Sequence, residues 1–170
     1  ADNYGGGIAN YGGDVTIGRS YIYGNYAGDE GGGVAQYYGT MAIFESTFTG
    51  NEAYDDGGAI VNYYGTMTIT NSTLSGNEAF SGGAIYNTAV MTIVNSTLTG
   101  NSANWAGGIY NDDTLTLSRS IVSGNSALTT ANEIENSFTL NSDDYNVFSH
   151  DAINDSDAFV GFTPGASDIN

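Results

Sequence analysis

One self-similarity constrains this chain more than anything else in it. The pair Gly-Asn recurs at Gly24-Asn25, Gly50-Asn51, Gly76-Asn77, Gly100-Asn101 and Gly124-Asn125, with steps of 26, 26, 24 and 24 residues. A glycine pair ahead of an aliphatic residue marks the same units at Gly6, Gly32, Gly57, Gly82 and Gly107. Periods of 20 to 50 residues belong to solenoids and propellers, in which one unit cannot bury its apolar face alone.

Superposed, the units give three apolar columns. The first is Ile8, Val34, Ile60, Ile85 and Ile109, continued by Ile134. The second is Ile17, Ile43, Ile69, Ile93 and Leu117, continued by Leu140, with companions at Val15, Met41, Met67, Met91 and Leu115. The third is Ile22, Phe48, Leu74, Leu98 and Val122. Each column sits in locally alternating sequence, such as Met67-Thr68-Ile69, which reads as the inward face of a short strand. Three such strands per unit predict a three-sided coil, stabilised by stacking on the coils above and below. Propeller blades need about 40 to 45 residues, so these units are too short, and no Leu-x-x-Leu-x-Leu pattern supports a leucine-rich repeat. The expected fold is all-β: a right-handed parallel β-helix, or solenoid, of about five to six coils.

Asn25, Asn51, Asn77, Asn101 and Asn125 fall at one corner, where stacked amides form a structural ladder along the axis. The glycine pairs read as corners needing positive φ; no helix follows them, as a phosphate-binding loop would require. From Asn132 the pattern decays. The chain thus divides into β-helix repeats over 1–131 and an irregular terminal coil and tail over 132–170, expected to cap the last coil or to supply an inter-subunit strand.

Nineteen acidic residues stand against Arg19 and Arg119, with no lysine, for a formal net charge of −17. Such a chain lacks the basic surface that neutralises phosphates, which excludes nucleic acid as a partner. There is no cysteine, hence no disulfide framework, and no apolar run of the length a membrane helix needs.

The units Gly57-Gly58-Ala59-Ile60 and Gly82-Gly83-Ala84-Ile85, together with Phe48-Thr49-Gly50-Asn51, resemble the GGAI and FxxN repeats of polymorphic outer-membrane proteins. The resemblance covers roughly Tyr4 to Ala127. It implies an exported β-helix at the cell surface, extracellular and non-catalytic, that serves in adhesion or as a scaffold.

Candidate sites follow from outward residues. Tyr11, Tyr37 and Tyr63 align in successive coils, with Tyr38 and Tyr64 beside them, as a surface for glycans or for neighbouring molecules. Asn71 and Asn95, aligned in one outward column, and Asn154 open glycosylation sequons. The outward Thr and Ser residues, among them Thr47, Thr73, Thr97 and Thr99, are explained by β-propensity. The alternative to adhesion is a carbohydrate-binding β-helix or a polysaccharide lyase or hydrolase. For the enzyme, the acidic pairs are Asp55-Asp56, Asp112-Asp113 and Asp143-Asp144, yet Arg19 and Arg119 stand four coils apart, about 19 Å at ~4.8 Å per coil, and His150 lies outside the repeat. No catalytic residue, metal ligand or cofactor is assigned; the glycine-rich nonapeptide repeat that binds Ca²⁺ is absent. Because residue 1 falls within a unit, end-to-end stacking on further repeats or on identical subunits of a filament is expected.

Overall fold

The computed structural model describes residues 3–143, 145–148, 159–161 and 163–168. Among them every regular element is a strand, and every strand pairing is parallel. The chain winds through four sheets in turn. The first sheet stacks Ile8–Asn10, Val34–Gln36, Ile60–Asn62, Ile85–Asn87, Ile109–Asn111, Ile134–Asn136 and Phe159–Val160. The second stacks Asp14–Gly18, Thr40–Phe44, Thr66–Thr70, Val90–Val94, Thr114–Ser118 and Thr139–Asp143. The third stacks Tyr21–Tyr23, Thr47–Thr49, Thr73–Ser75, Thr97–Thr99, Ile121–Ser123 and Val147–Phe148. The fourth stacks Tyr26–Ala27, Glu52–Ala53, Glu78–Ser81, Ser102–Trp105 and Ser126–Ala127. Parallel sheets stacked without intervening helices make a β-solenoid of about six turns.

The interior is a single apolar column, in which Phe48, Leu74, Leu98 and Val122 meet Ile60, Ile85, Ile109 and the paired rows from Met41 and Ile43 to Leu115 and Leu117. Aliphatic and aromatic residues at these positions suit a pleated, buried surface, and each strand gains its hydrogen bonds only from the next coil.

Three expectations need correction. The coil carries four strands, not three. The fourth places Ala27, Ala53, Ala79 and Ala103 inward, all buried, and a column of single alanines has too little apolar bulk to stand out in sequence. Leu140 pairs with Leu115, and Ser142 takes the place opposite Leu117, so the sixth coil continues the companion row rather than the main one. The glycine pairs, finally, serve two distinct needs. Positive φ falls one position before the pair in the first coils, at Gly5 and Gly31, on its first member at Gly57 and Gly82, and on Ala106 in the fifth coil. The next residue, Gly6, Gly32, Gly58, Gly83 or Gly107, has ordinary φ, but a Cβ there would strike backbone carbonyls of neighbouring coils. Half of this signature is therefore close approach of backbone, not turn geometry.

The step from 26 to 24 residues is absorbed at two places. Between the first and second sheets the corner shortens from three residues, as in Tyr63-Tyr64-Gly65, to two, as in Thr88-Ala89. Between the fourth and first sheets a second residue is lost: Asp56 bridges Ser81 at a spacing one shorter than that of Glu52 and Glu78.

Candidate functional site

Three polar ladders occupy the corners. In the first, each asparagine donates its Nδ2 to the Oδ1 of the next coil: Asn25 to Asn51 at 2.9 Å, Asn51 to Asn77 at 3.0 Å, Asn77 to Asn101 at 2.8 Å and Asn101 to Asn125 at 2.8 Å. The same Oδ1 atoms accept the backbone N–H of the preceding rung, and the second amide hydrogen goes to a strand carbonyl such as Phe48 O. Each corner is turned by the glycine before the asparagine, at φ 59 to 62° in Gly24, Gly50 and Gly76, where a Cβ would meet open space and only the dihedral selects glycine.

The ladder ends on a carboxylate. Buried Glu133 accepts the backbone N–H of Gly124 and of Asn125 on Oε1 and the Asn125 amide on Oε2 at 2.6 Å. Sequence reading missed this residue, because its partner lies eight positions away rather than one period.

A second ladder, also missed, runs at the end of the first sheet through Asn10, Gln36, Asn62, Asn87, Asn111 and Asn136, all buried. Asn10, Asn62, Asn87 and Asn111 donate to the next rung at 2.7 to 2.8 Å. Gln36 breaks the series: its longer side chain donates to Tyr38 O, leaving Asn62 Oδ1 buried without a hydrogen bond. A third ladder joins the backbone N–H of Ser20, Ser46, Ser72 and Ser96 to the next serine hydroxyl at 3.1 to 3.2 Å. It passes from Ser120 to Asn146 Oδ1 and ends at Asp168, which accepts from Asn146 and from the Ser142 hydroxyl.

The residue before each of those serines, Arg19, Glu45, Asn71, Asn95 or Arg119, holds positive φ of 48 to 52°. Asparagine tolerates this region, so Asn71 and Asn95 have a conformational reason to be there. Both are exposed, and Asn95 donates its amide to Asn71 Oδ1 at 2.7 Å. In the same column Arg19 Nε pairs with Glu45 at 2.8 Å on the open surface. Asn154 and His150 lie outside the described residues.

The tyrosines do come together. Tyr11 and Tyr37 stack at 5.0 Å and 8°, Tyr37 and Tyr63 at 5.5 Å and 30°, and Tyr38 and Tyr64 at 5.4 Å and 17°. Where the corner shortens, Thr88 replaces the tyrosine pair, and the aromatic row shifts onto the strand as Tyr86 and Tyr110, stacked at 4.9 Å. Tyr63 meets Tyr86 edge-on and joins the two stacks. Rings that face one another along the axis cover each other's faces, so this row offers mainly edges and hydroxyls to the outside. Tyr37 donates its hydroxyl to Glu30 at 3.0 Å and Tyr63 to Asp56 at 3.2 Å. Burial, and then the neighbouring carboxylates, push both phenols well above their ordinary range and keep them protonated donors. Burial, with Glu30 and Asp55 nearby, raises Asp56 to about 6, against the opposing hydrogen bond from Tyr63.

Of the acidic pairs, Asp55-Asp56 and Asp112-Asp113 stand among the described residues, and Asp144 lies outside them. Among the described residues no three His, Asp or Glu side chains cluster closely enough to hold a metal ion.

A groove that sequence reading missed lies on the fourth sheet. Glu78, Ser102 and Ser126 form one wall and Asn104 and Leu128 the other, over a floor of Ala79, Ala103 and Ala127, enclosing about 220 Å³. Beside it Phe80 and Trp105 meet at 5.7 Å and a 47° tilt, both more than 40% exposed. The signal in sequence was a shortening of side chains: the outward column starts with Tyr26, Glu52 and Glu78 and drops to Ser102 and Ser126.

These features define a parallel β-helix repeat protein whose buried amides and serine hydroxyls hold its corners. Residues 45–63 match the model of the Chlamydia polymorphic membrane protein repeat, a stretch that runs from the third sheet of one coil to the first sheet of the next. Over that stretch the chain is similar to the family. No curated protein and no solved structure matches it.

Proposed function

We propose that the chain is a non-catalytic adhesive module of the cell surface, held outside the cell as a rigid solenoid whose lateral faces make the contacts. The observation that carries this reading is the repeat similarity at 45–63 on a parallel β-solenoid. Fold alone would leave function open. Beads coated with the protein are expected to be retained on cultured cell monolayers, and retention is expected to fall when soluble protein is added. Reducing ends or unsaturated products released from pectin, alginate or xylan would overturn the non-catalytic part.

Axial stacking, on further repeats or on identical subunits, belongs to the same proposal. The first strands, Ile8–Asn10, Asp14–Gly18 and Tyr21–Tyr23, are each paired on one side among the described residues, above partly buried Ile8, Val15 and Ile22. All three ladders donate toward the C-terminal end, so the first coil offers the Asn25 oxygen as an acceptor while the last donors are consumed by Glu133, Asp168 and Gly161 O. A further coil of the same repeat, or a neighbouring subunit with amide donors at its end, would pair with that oxygen. Fusing one more Gly-Asn coil ahead of the first is expected to raise the unfolding midpoint. Head-to-tail filaments of the unmodified protein in electron micrographs would support stacking on identical subunits, and single particles together with an unchanged midpoint in the fusion would refute axial stacking.

A further inference from the structure

We infer that the groove on the fourth sheet is a binding site for one ring of an uncharged glycan, with the exposed Phe80 and Trp105 rings next to its lining. The inference rests on the adhesive reading and names the ligand of one lateral face.

Size comes first. Sites for drug-sized ligands occupy about 300 to 1,000 Å³, whereas this groove encloses about 220 Å³, the scale of a single small ring. Chemistry narrows the ring further. Ser102, Asn104, Ser126 and Glu78 bring two hydroxyls, an amide and a carboxylate to the groove, all at partly or fully exposed positions. Alternating donors and acceptors around a shallow dip suit a molecule that carries several hydroxyls.

The aromatic pair separates this site from the tyrosine row. Phe80 and Trp105 are tilted by 47° and both stay more than 40% exposed, while Tyr11, Tyr37 and Tyr63 are stacked over one another. An exposed indole face beside hydroxyl-binding groups provides what the C–H face of a pyranose packs against. Charge decides between sugar classes. Glu78 lies at the groove, Glu52 pairs with it in register, and the chain carries a net charge of −17, so uronates and sulfated sugars are repelled.

The molecule carries its own probe, because Trp105 is its only tryptophan. Titration with chitohexaose and with cellohexaose is expected to change its fluorescence saturably for at least one of the two, and polygalacturonate is expected to leave it unchanged. Two variants use residues the same columns already accept. Trp105→Ser copies Ser81 one coil earlier, and Ser102→Tyr copies Tyr26 at the head of its column. Each is expected to weaken glycan binding at least tenfold, read by calorimetry, with the circular dichroism spectrum unchanged. Failure of both neutral oligosaccharides to bind, tighter binding of polygalacturonate, or binding lost in a Tyr37→Ala, Tyr63→Ala variant but kept in Trp105→Ser would each overturn the site. Bead retention on cells without neutral-glycan binding would sink the groove and leave the adhesive reading standing; loss of retention altogether would sink the adhesive reading.

Discussion

The asparagine ladder makes a graded prediction, because an inner rung has more to lose than the end rung. Asn77 accepts the Asn51 backbone N–H and the Asn51 amide, both at 3.0 Å, and donates to Asn101 Oδ1 at 2.8 Å and to Phe48 O at 3.2 Å. Alanine removes all four. The Asn51 amide keeps Ile22 O, and Asn101 Oδ1 keeps the Asn77 backbone N–H, but the Asn51 backbone N–H is left buried with no acceptor. At about 1 kcal/mol net for each bond, Asn77→Ala is expected to cost about 4 kcal/mol. Asn25→Ala removes only the 2.9 Å bond to Asn51 Oδ1 at a half-buried position and is expected to cost about 1 kcal/mol. Urea unfolding followed by far-ultraviolet circular dichroism measures the difference. Hydrogen exchange of the Asn51 amide localises it, with faster exchange in Asn77→Ala and not in Asn25→Ala. Equal costs within 0.5 kcal/mol, or unchanged protection at Asn51, would refute the claim that the ladder holds its corner through side-chain bonds.

Other substitutions test the remaining devices. Gln36→Asn is expected to restore the missing rung by giving Asn62 Oδ1 a donor; the relief of about 1 to 3 kcal/mol, less about 1 kcal/mol for the lost methylene, predicts a higher urea midpoint. Gly58→Ala drives a Cβ against the Gly83 and Glu78 backbone and is expected to cost about 3 kcal/mol or more, whereas Gly76→Ala, at φ 62° in open space, is expected to cost about 1 to 2 kcal/mol in the same assay. Asp56, raised to about 6 in the folded state, holds its proton more tightly there than in the unfolded chain. Its penalty is therefore in force above pH 6 and fades as pH falls through that value, so the wild-type protein should gain about 1 kcal/mol relative to Asp56→Asn between pH 7 and pH 4.5, after allowance for its partial exposure. A constant difference across that range would show that Asp56 is not desolvated.

What the sequence determined by itself was everything that repeats once per coil at a fixed offset: the period, the strand columns at Ile60, Ile69 and Leu74, the parallel stacking they require, and the Gly-Asn corner. A contact between residue i and its equivalent one coil on is written directly into a periodic chain. The alanine strand and the amide ladder through Asn10 and Asn136 recur in the same way, but a small apolar residue and a mixed Asn/Gln column carry little hydrophobic signal, and only burial in the folded coil gives them weight. Tertiary structure alone decided what breaks the period. Glu133 reaches Asn125 across eight residues, Asp168 reaches Asn146 across twenty-two, and the loss of one residue at the corner between Asn87 and Val90 ends the tyrosine pairs and starts a new stack at Tyr86. The groove on the fourth sheet likewise exists only because short side chains at Ser102 and Ser126 stack in register with Glu78, beside Asn104 and Leu128. Such pairings depend on how each corner absorbs a change in coil length, and that is fixed by the register of the packed coils and by no property of the residues taken one unit at a time.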